Sequence, residues 1–163
     1  MKILALDLSL TRTGVARWDG VTVLVPPKDL RGMERLLYLE EAILERAADA
    51  ELVVLEGYSF GSRGRAVVDI GELGGVIRLA LYRRGIRFVD VPPATLKRYA
   101  TGKGNASKEE VLVAAVRRLG YTGADHNEAD ALWLYAMALD FYGLRESRVP
   151  KAHRAALDAV AWP

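Results

Sequence analysis

ILALDLSLTRTG, residues 3–14, decides how the chain folds. Its first part, Ile3 to Asp7, is apolar up to a terminal aspartate and predicts a buried strand. The Thr-Arg-Thr-Gly segment predicts a turn, and Gly14 to Trp18 has the composition of an antiparallel partner. A third strand, Val21 to Val25, follows the Asp19-Gly20 pair, which is a strong hairpin signal. The chain is therefore expected to open with three meandering strands.

A fourth strand is expected to lie beside the first. Residues 30–48 carry leucines and an isoleucine at helical spacing, and residues 52–55 form a continuous apolar run that ends at Glu56. A short apolar run of this kind is typical of a central strand. A helical crossover between two strands makes them parallel neighbours.

The rest of the chain alternates helices with one further strand. The expected elements are a helix over 66–84, a strand over 86–91, a short helix over 95–100, a helix to Leu119 opened by the Ser107–Glu110 capping box, and a long helix from near Asn127 to about Tyr142. Gly71, Gly74 and Gly75 each cost a helix about 1 kcal/mol relative to alanine. We therefore expect another group to approach the backbone of that helix closely.

Length and composition limit the class of protein. A chain of 163 residues with 51% hydrophobic and 27% charged residues is expected to form one globular domain with a real core. The absence of cysteine excludes disulfides, zinc–thiolate sites and cysteine nucleophiles. The amino-terminal apolar run is interrupted by Asp7, too early for a signal peptide or a membrane span. These features predict a cytoplasmic protein that does not bind a membrane.

The charge distribution points to a polyanionic partner. The net charge is only +2, but residues 57–108 contain ten Lys and Arg against three acids. The tail after Leu144 adds four more basic residues, while residues 34–56 are acidic. Solvated helix faces explain single charges equally well. The asymmetry as a whole favours a polyanion.

Two acids end neighbouring strands and a third lies near the start of the last helix. Asp7 and Glu56 emerge at one sheet edge if their strands are parallel, which is where open α/β sheets bind ligands. Carboxylates that lie together repel each other unless a cation or proton separates them, and oxygen ligands suit Mg²⁺ or Mn²⁺. Asp130, with His126 and Asn127 four and three residues earlier, has an alternative explanation. Asn127 is a good N-cap, and an acid in a first turn is stabilising.

The sequence resembles the RuvC-type Holliday junction resolvases of the ribonuclease H-like superfamily over nearly all residues to about Leu144. The segments that carry the resemblance are ILALDLSLTRTG at 3–14, LVVLE at 52–56, GELGGV at 71–76, VPPATLK at 91–97 with TGKGNASK at 101–108, and EADAL at 128–132. The resemblance implies an α/β fold of the ribonuclease H-like type, with a five-stranded mixed sheet in the order 3-2-1-4-5 flanked by helices. It places the nuclease domain at residues 1–143 and makes residues 144–163 a basic extension of the same domain.

The resemblance also implies a metal-dependent endodeoxyribonuclease. Asp7, Glu56 and Asp130 would hold two Mg²⁺ or Mn²⁺ ions, with Asp7 bridging them, for hydrolysis of the phosphodiester bond. Asn127 occupies a position that is commonly Asp or His in this family, so the fourth ligand is expected from His126, Asn127 or Glu128. We expect His126 to rank above Glu128, because Glu128 would point away from Asp130 in a regular helix. Leu8-Ser9 replaces the usual Pro-Gly after the first aspartate.

The implied substrate is a four-way junction or other branched DNA. The residues expected to contact it are Lys97, Lys103, Lys108, Arg63 and Arg65 on phosphates, and Tyr58 and Phe60 on unpaired bases. A junction has approximate twofold symmetry and is cut twice, which implies a homodimer.

Three alternatives remain open from the sequence. A RuvC-like ribonuclease that processes structured RNA would use the same acids. A non-catalytic junction-binding protein would keep the fold, and Asn127 is compatible with it. A sugar-kinase or actin-like ATPase shares the Asp-to-Gly loop after its first strand, but that fold needs a longer chain with two subdomains.

Overall fold

A computed structural model describes residues 1–58 and 65–163, except the side chains of residues 65–67 and 69. The central sheet has the order β3-β2-β1-β4-β5. Its strands are β1 (Ile3–Asp7), β2 (Thr13–Arg17), β3 (Gly20–Leu24), β4 (Leu52–Glu56) and β5 (Phe88–Val91). β1 pairs antiparallel with β2 and parallel with β4, and β4 pairs parallel with β5. The predicted mixed sheet and its order are confirmed.

Helices cover both faces of the sheet. They are α1 (Gly32–Ala47), α2 (Arg65–Arg83), α3 (Pro93–Thr101), α4 (Lys108–Leu119), α5 (His126–Phe141) and α6 (Lys151–Arg154), with a 3₁₀ helix at Ala155–Ala159. The predicted elements are therefore present, with ends that differ by one or two residues. The last strand begins two residues later than expected, at Phe88. The Ser107–Glu110 capping box is confirmed by hydrogen bonds in both directions.

The alternation of side chains along the strands builds two cores. Leu4, Leu6, Val53 and Leu55 belong to the core that contains residues of α1 and α2. Ile3, Ala5, Leu52 and Val54 belong to the second core, which contains residues of α3, α4, α5 and the carboxyl-terminal segment. Successive strand residues point to opposite faces, so the next residue of this second set is Asp7 on β1 and Glu56 on β4. Both acids are thus directed to the face that α5 covers.

The segment after α5 is part of the second core. Val149, Ala156, Leu157 and Val160 are buried in it. In residues 1–58 and 65–163, no helix is long and apolar enough to cross a membrane. The cytoplasmic location stays a prediction.

Candidate active site

A cavity of about 360 Å³ opens where β1 and β4 end. Asp7, Glu56 and Asp130 all line it. The register Leu6↔Leu55 between the parallel strands brings the next residues, Asp7 and Glu56, out side by side. Asp130 reaches the same cavity from α5, whose helix crosses this face of the sheet. The structure therefore brings together the three acids that the sequence selected.

The start of α5 is set by Asp125 and not by Asn127. The Asp125 carboxylate accepts hydrogen bonds from the backbone amides of Asn127 and Glu128 at 2.9 and 3.1 Å. This corrects the alternative that treats Asn127 as the N-cap. It also moves Asp130 from the third to the fifth residue of the helix, beyond the first turn. Capping thus explains neither Asn127 nor Asp130, and both residues line the cavity.

The environment of the acids disfavours their charged forms. Burial, followed by the negative charges of Glu56 and Asp130, raises the pKa of Asp7 well above its usual value. Burial also raises the pKa of Glu56, and burial with the charge of Glu56 raises the pKa of Asp130 to about 7. Lys108 and Lys97 oppose these shifts. The cavity therefore concentrates three carboxyl groups, and Lys97 and Lys108 partly offset the resulting rise in pKa.

This donor set has the chemistry of a site for a hard divalent cation. Buried carboxylates with raised pKa values gain stability when a cation replaces the protons they would otherwise take up. Within the described ranges, no group of three or more acids and histidines is drawn together closely enough to hold one ion as it stands. Asp7 and Glu56 form the tight pair, and Asp130 acts on them by charge alone.

The structure places the three candidates for a fourth metal ligand in different surroundings. Asn127 lines the cavity. Glu128 accepts a hydrogen bond from the Tyr121 hydroxyl at 2.5 Å, as expected for a side chain that points away from Asp130. His126 is not among the cavity residues, and its buried Nδ1 has no hydrogen-bond partner in the described part of the chain.

The predicted DNA-contacting residues fall into three groups. Tyr58, Lys97 and Lys108 line the cavity. Lys103 lies instead in a groove between α3 and α4, where its ammonium group forms an ion pair with Glu110 at 3.1 Å. Phe60 and Arg63 lie outside the described residues, and so does the side chain of Arg65.

Arg78 is a cavity residue that the sequence did not reveal as one. Its side chain is 16% exposed and forms an ion pair with Asp90 on β5. The sequence does not identify Asp90 as the partner of Arg78, because the contact joins residues of a helix and a strand.

The sheet order, with acids after β1 and β4 and on the last long helix, defines a ribonuclease H-like protein. The model of the family described as "Crossover junction endodeoxyribonuclease RuvC" matches residues 19–139. The chain therefore belongs to the RuvC family, whose nucleases depend on divalent metal ions.

Individual relatives agree with this assignment. The crossover junction endodeoxyribonuclease RuvC of Rhodococcus opacus is 34% identical over 152 residues, which cover 85% of this chain and 79% of the relative. The protein of the same description from a Nocardioides species is 31% identical and covers 98% of both chains. Thermus thermophilus RuvC, solved in complex with a Holliday junction substrate, is 22% identical with a TM-score of 0.71 over 88% of this chain and 94% of that one. At 22% identity, the similarity to Thermus thermophilus RuvC supports the fold.

Proposed function

We propose that this protein is an endonuclease that resolves four-way DNA junctions and related branched DNA by cutting them at the acidic cavity. The observation that carries the proposal is the convergence of Asp7, Glu56 and Asp130 on one cavity that Lys97 and Lys108 also line. The relatives are named crossover junction endodeoxyribonucleases, and a related structure contains a Holliday junction substrate. The shared family and the arrangement of charges support the same reaction for this chain.

Asp7, Glu56 and Asp130 are proposed as the residues that would hold two Mg²⁺ or Mn²⁺ ions. Bound divalent ions supply two functions in such a site: they lower the pKa of a water molecule and stabilise the leaving 3′ oxygen. The Asn127 side chain brings a neutral carbonyl oxygen to the same cavity. The protein's own part is to hold these oxygens on two strand ends and one helix, which fixes their separation.

Lys97 and Lys108 are proposed to bind the phosphates of the strand to be cut. Both lysines already interact with the acids, since their positive charges partly offset the rise in the pKa of Glu56 and Asp130. A phosphate that enters the cavity meets these ammonium groups, and metal ions would neutralise the carboxylates. Lys103, in its own groove, remains a predicted contact, and Arg63, Arg65 and Phe60 remain predictions that lie outside the described residues or side chains. His126 does not line the cavity and is given no role in this proposal.

A homodimer is proposed because two symmetric cuts need two active sites. On α2, Leu79 and Tyr82 are 49% and 76% exposed and share one side of the helix. On α1, which packs beside α2, Met33 and Leu37 are 67% and 54% exposed. We assign the dimer contact to this apolar surface of α1 and α2. Tyr82→Glu should convert the dimer to monomer in sedimentation analysis, whereas Arg84→Glu should not.

The test of the function is cleavage of a synthetic four-way junction in Mg²⁺ or Mn²⁺. Asp7→Asn, Glu56→Gln and Asp130→Asn should each lower the single-turnover rate by at least about 100-fold, as loss of charge stabilisation at a reacting centre commonly does. Junction affinity should persist, and Asp158→Asn, at an exposed position, serves as the matched control. Cleavage of structured RNA with the junction left intact would favour the ribonuclease. Junction binding with no cleavage by the unmodified protein would favour the non-catalytic alternative.

A further inference from the structure

Tyr58 occupies the rim of the acidic cavity, two residues after Glu56. Its side chain is 39% exposed. Its backbone position is fixed from the sheet, because the preceding Gly57 amide donates a hydrogen bond to the Val91 carbonyl at 2.8 Å. The aromatic ring is thus anchored at the ends of β4 and β5, next to the carboxylates.

Arg78 holds the same ring from α2. Its guanidinium lies over the Tyr58 ring, 4.5 Å from the centroid, and donates a hydrogen bond to the Tyr58 hydroxyl at 2.9 Å. The opposite side of the guanidinium donates to the Asp90 carboxylate, with Nε 3.1 Å from the nearer oxygen. Arg78 therefore connects the loop after β4, the helix α2 and the edge strand β5. Its charge is balanced by Asp90, and its side chain is largely buried.

Gly74 makes this arrangement possible. It lies one turn before Arg78, and a Cβ atom there would overlap the Arg78 guanidinium and lie 2.7 Å from the Tyr58 hydroxyl. Gly71 and Gly75, in the same helix, would have no heavy atom within 4 Å of an added Cβ. Among the described residues, Gly74 is the one of these three glycines at which an added Cβ would meet another group. The residues that approach it are the tyrosine and the arginine of the cavity.

We propose that Arg78 is a positioning residue that fixes Tyr58 as a stacking platform for a base of the bound DNA strand at the rim of the acidic cavity. This inference rests on the proposed function. A ring that is already held in place loses less freedom on binding than a mobile one, so more of the stacking free energy appears as affinity. Stacking on an aromatic side chain typically strengthens single-strand binding by about 5- to 100-fold per base. Unpaired bases at the crossing point of a junction are the partners that fit such a platform.

Gly74→Ala tests the platform without altering the chemistry of either side chain. The added methyl group should displace the tips of Arg78 and Tyr58, while the helix gains propensity. Junction affinity, measured in EDTA to prevent cleavage, should fall by about 3- to 10-fold, a part of the loss expected for Tyr58→Ala. Gly75→Ala is the matched control and should leave affinity unchanged, with its oligomeric state checked by sedimentation.

A stacking readout separates positioning from a purely structural role. 2-Aminopurine placed next to the crossing point of the junction should be quenched by the unmodified protein and by Tyr58→Phe, which keeps the ring. The quenching should be reduced in Gly74→Ala and Arg78→Ala, although both variants keep their thermal midpoint and their affinity for linear duplex.

Two results would overturn the inference and neither depends on catalysis. One is equal junction affinity and equal quenching for Gly74→Ala and Gly75→Ala. The other is a Tyr58→Ala variant that binds the junction as tightly as the unmodified protein. Failure of the proposed function is a different result, in which the unmodified protein with metal ions does not cut the junction at all.

Discussion

Gly14 on β2 lies directly against the backbone of Asn127 in the first turn of α5. A Cβ atom at Gly14 would overlap the Asn127 carbonyl group and lie 3.2 Å from the Ala131 side chain. Gly14 is also the register partner of Asp7 on β1. The absence of a side chain at one position of β2 thus sets how closely the helix that carries Asp130 approaches the strand that carries Asp7.

Gly14→Ala should therefore damage the site and the fold together. The overlap is with backbone, which cannot rotate away, so α5 must move off the sheet. Overpacking of this kind costs about 1–3 kcal/mol of unfolding free energy. The measurement is urea unfolding together with junction cleavage, and Gly71→Ala, where an added Cβ meets nothing within 4 Å, is the control. Equal stability and activity in the two variants would mean that Gly14 does not set the approach.

Asp130→Asn should change stability in a pH-dependent way when metal is removed. The pKa of Asp130 is raised from 3.8 to about 7, first by burial and then by the charge of Glu56. A raised folded-state pKa means that the folded protein favours the protonated acid. The stabilising contribution is present below about pH 4 and is lost as pH rises through 7.

The unmodified protein in EDTA should thus lose stability between pH 4 and pH 7 relative to Asp130→Asn. Between pH 4 and pH 8 the stability difference should shift in favour of the variant by up to about 4 kcal/mol, because the pKa is raised by about three units and one unit corresponds to about 1.4 kcal/mol. Mg²⁺ or Mn²⁺ should stabilise the unmodified protein most at pH 8, where protons no longer occupy the acids. The measurement is urea unfolding across this pH range. A stability difference that does not change with pH would contradict the assigned burial of Asp130.

The sequence was sufficient to predict the strand ends because local chemistry specifies them. A buried strand that finishes in an acid needs a partner for that acid, and both Asp7 and Glu56 follow this rule. The crossover between them required a parallel pair, which the register Ile3↔Leu52 to Leu6↔Leu55 confirms. The sequence therefore predicts that Asp7 and Glu56 lie next to each other.

The details of the helix start and of the rim were not predictable in the same way. Asp125 and Asn127 are both good cap residues by type, and the structure has Asp125 as the cap while the Asn127 backbone lies against Gly14. The contact of Arg78 with Tyr58 and Asp90 joins residues 20 and 12 positions apart on different elements. The one local sign of this contact in the sequence is Gly74, because glycine is unfavourable inside a helix. Which groups approach Gly74 can be known only from the tertiary structure.

The Arg12–Asp125 ion pair should contribute to placing Asp130. Arg12, in the loop after Asp7, donates from Nε to the Asp125 carboxylate at 3.1 Å, and the other oxygen of Asp125 caps α5. Asp125→Ala removes both contacts and should cost about 1 kcal/mol or more of stability through the lost cap. Arg12→Ala removes an exposed pair and should cost less than about 1 kcal/mol.

Metal affinity distinguishes a positioning role for this ion pair from simple stabilisation. Titration calorimetry with Mn²⁺ and no DNA should show weaker binding in Arg12→Ala, and Arg12→Lys should recover part of the loss. Unchanged affinity in Arg12→Ala would limit the pair to a stabilising contact at the surface.

Asp140 should be essential for docking residues 144–163 as part of the same domain. Its carboxylate is 6% exposed and accepts hydrogen bonds from the Tyr99 hydroxyl and the Ser147 hydroxyl, each at 2.8 Å. The Arg154 guanidinium completes the set, 2.8 Å from the other oxygen. The donors come from α3, from the turn after α5 and from α6, so a single buried charge ties the tail to the core.

Removal of one partner leaves that charge without compensation. Arg154→Ala should lower the unfolding free energy, by an amount below the roughly 3–5 kcal/mol typical of fully buried pairs, because Arg154 is itself half exposed. Asp140→Asn should be milder, since it keeps a hydrogen-bond acceptor and removes the charge. Arg148→Ala, at an exposed position of the same tail, is the control. Hydrogen exchange of residues 149–160 is the local measurement, because the loss of Asp140 contacts should increase exchange there before the sheet is affected. If exchange in this segment is the same in Arg154→Ala and Arg148→Ala, apolar burial of Val149 and Leu157 is what holds the tail.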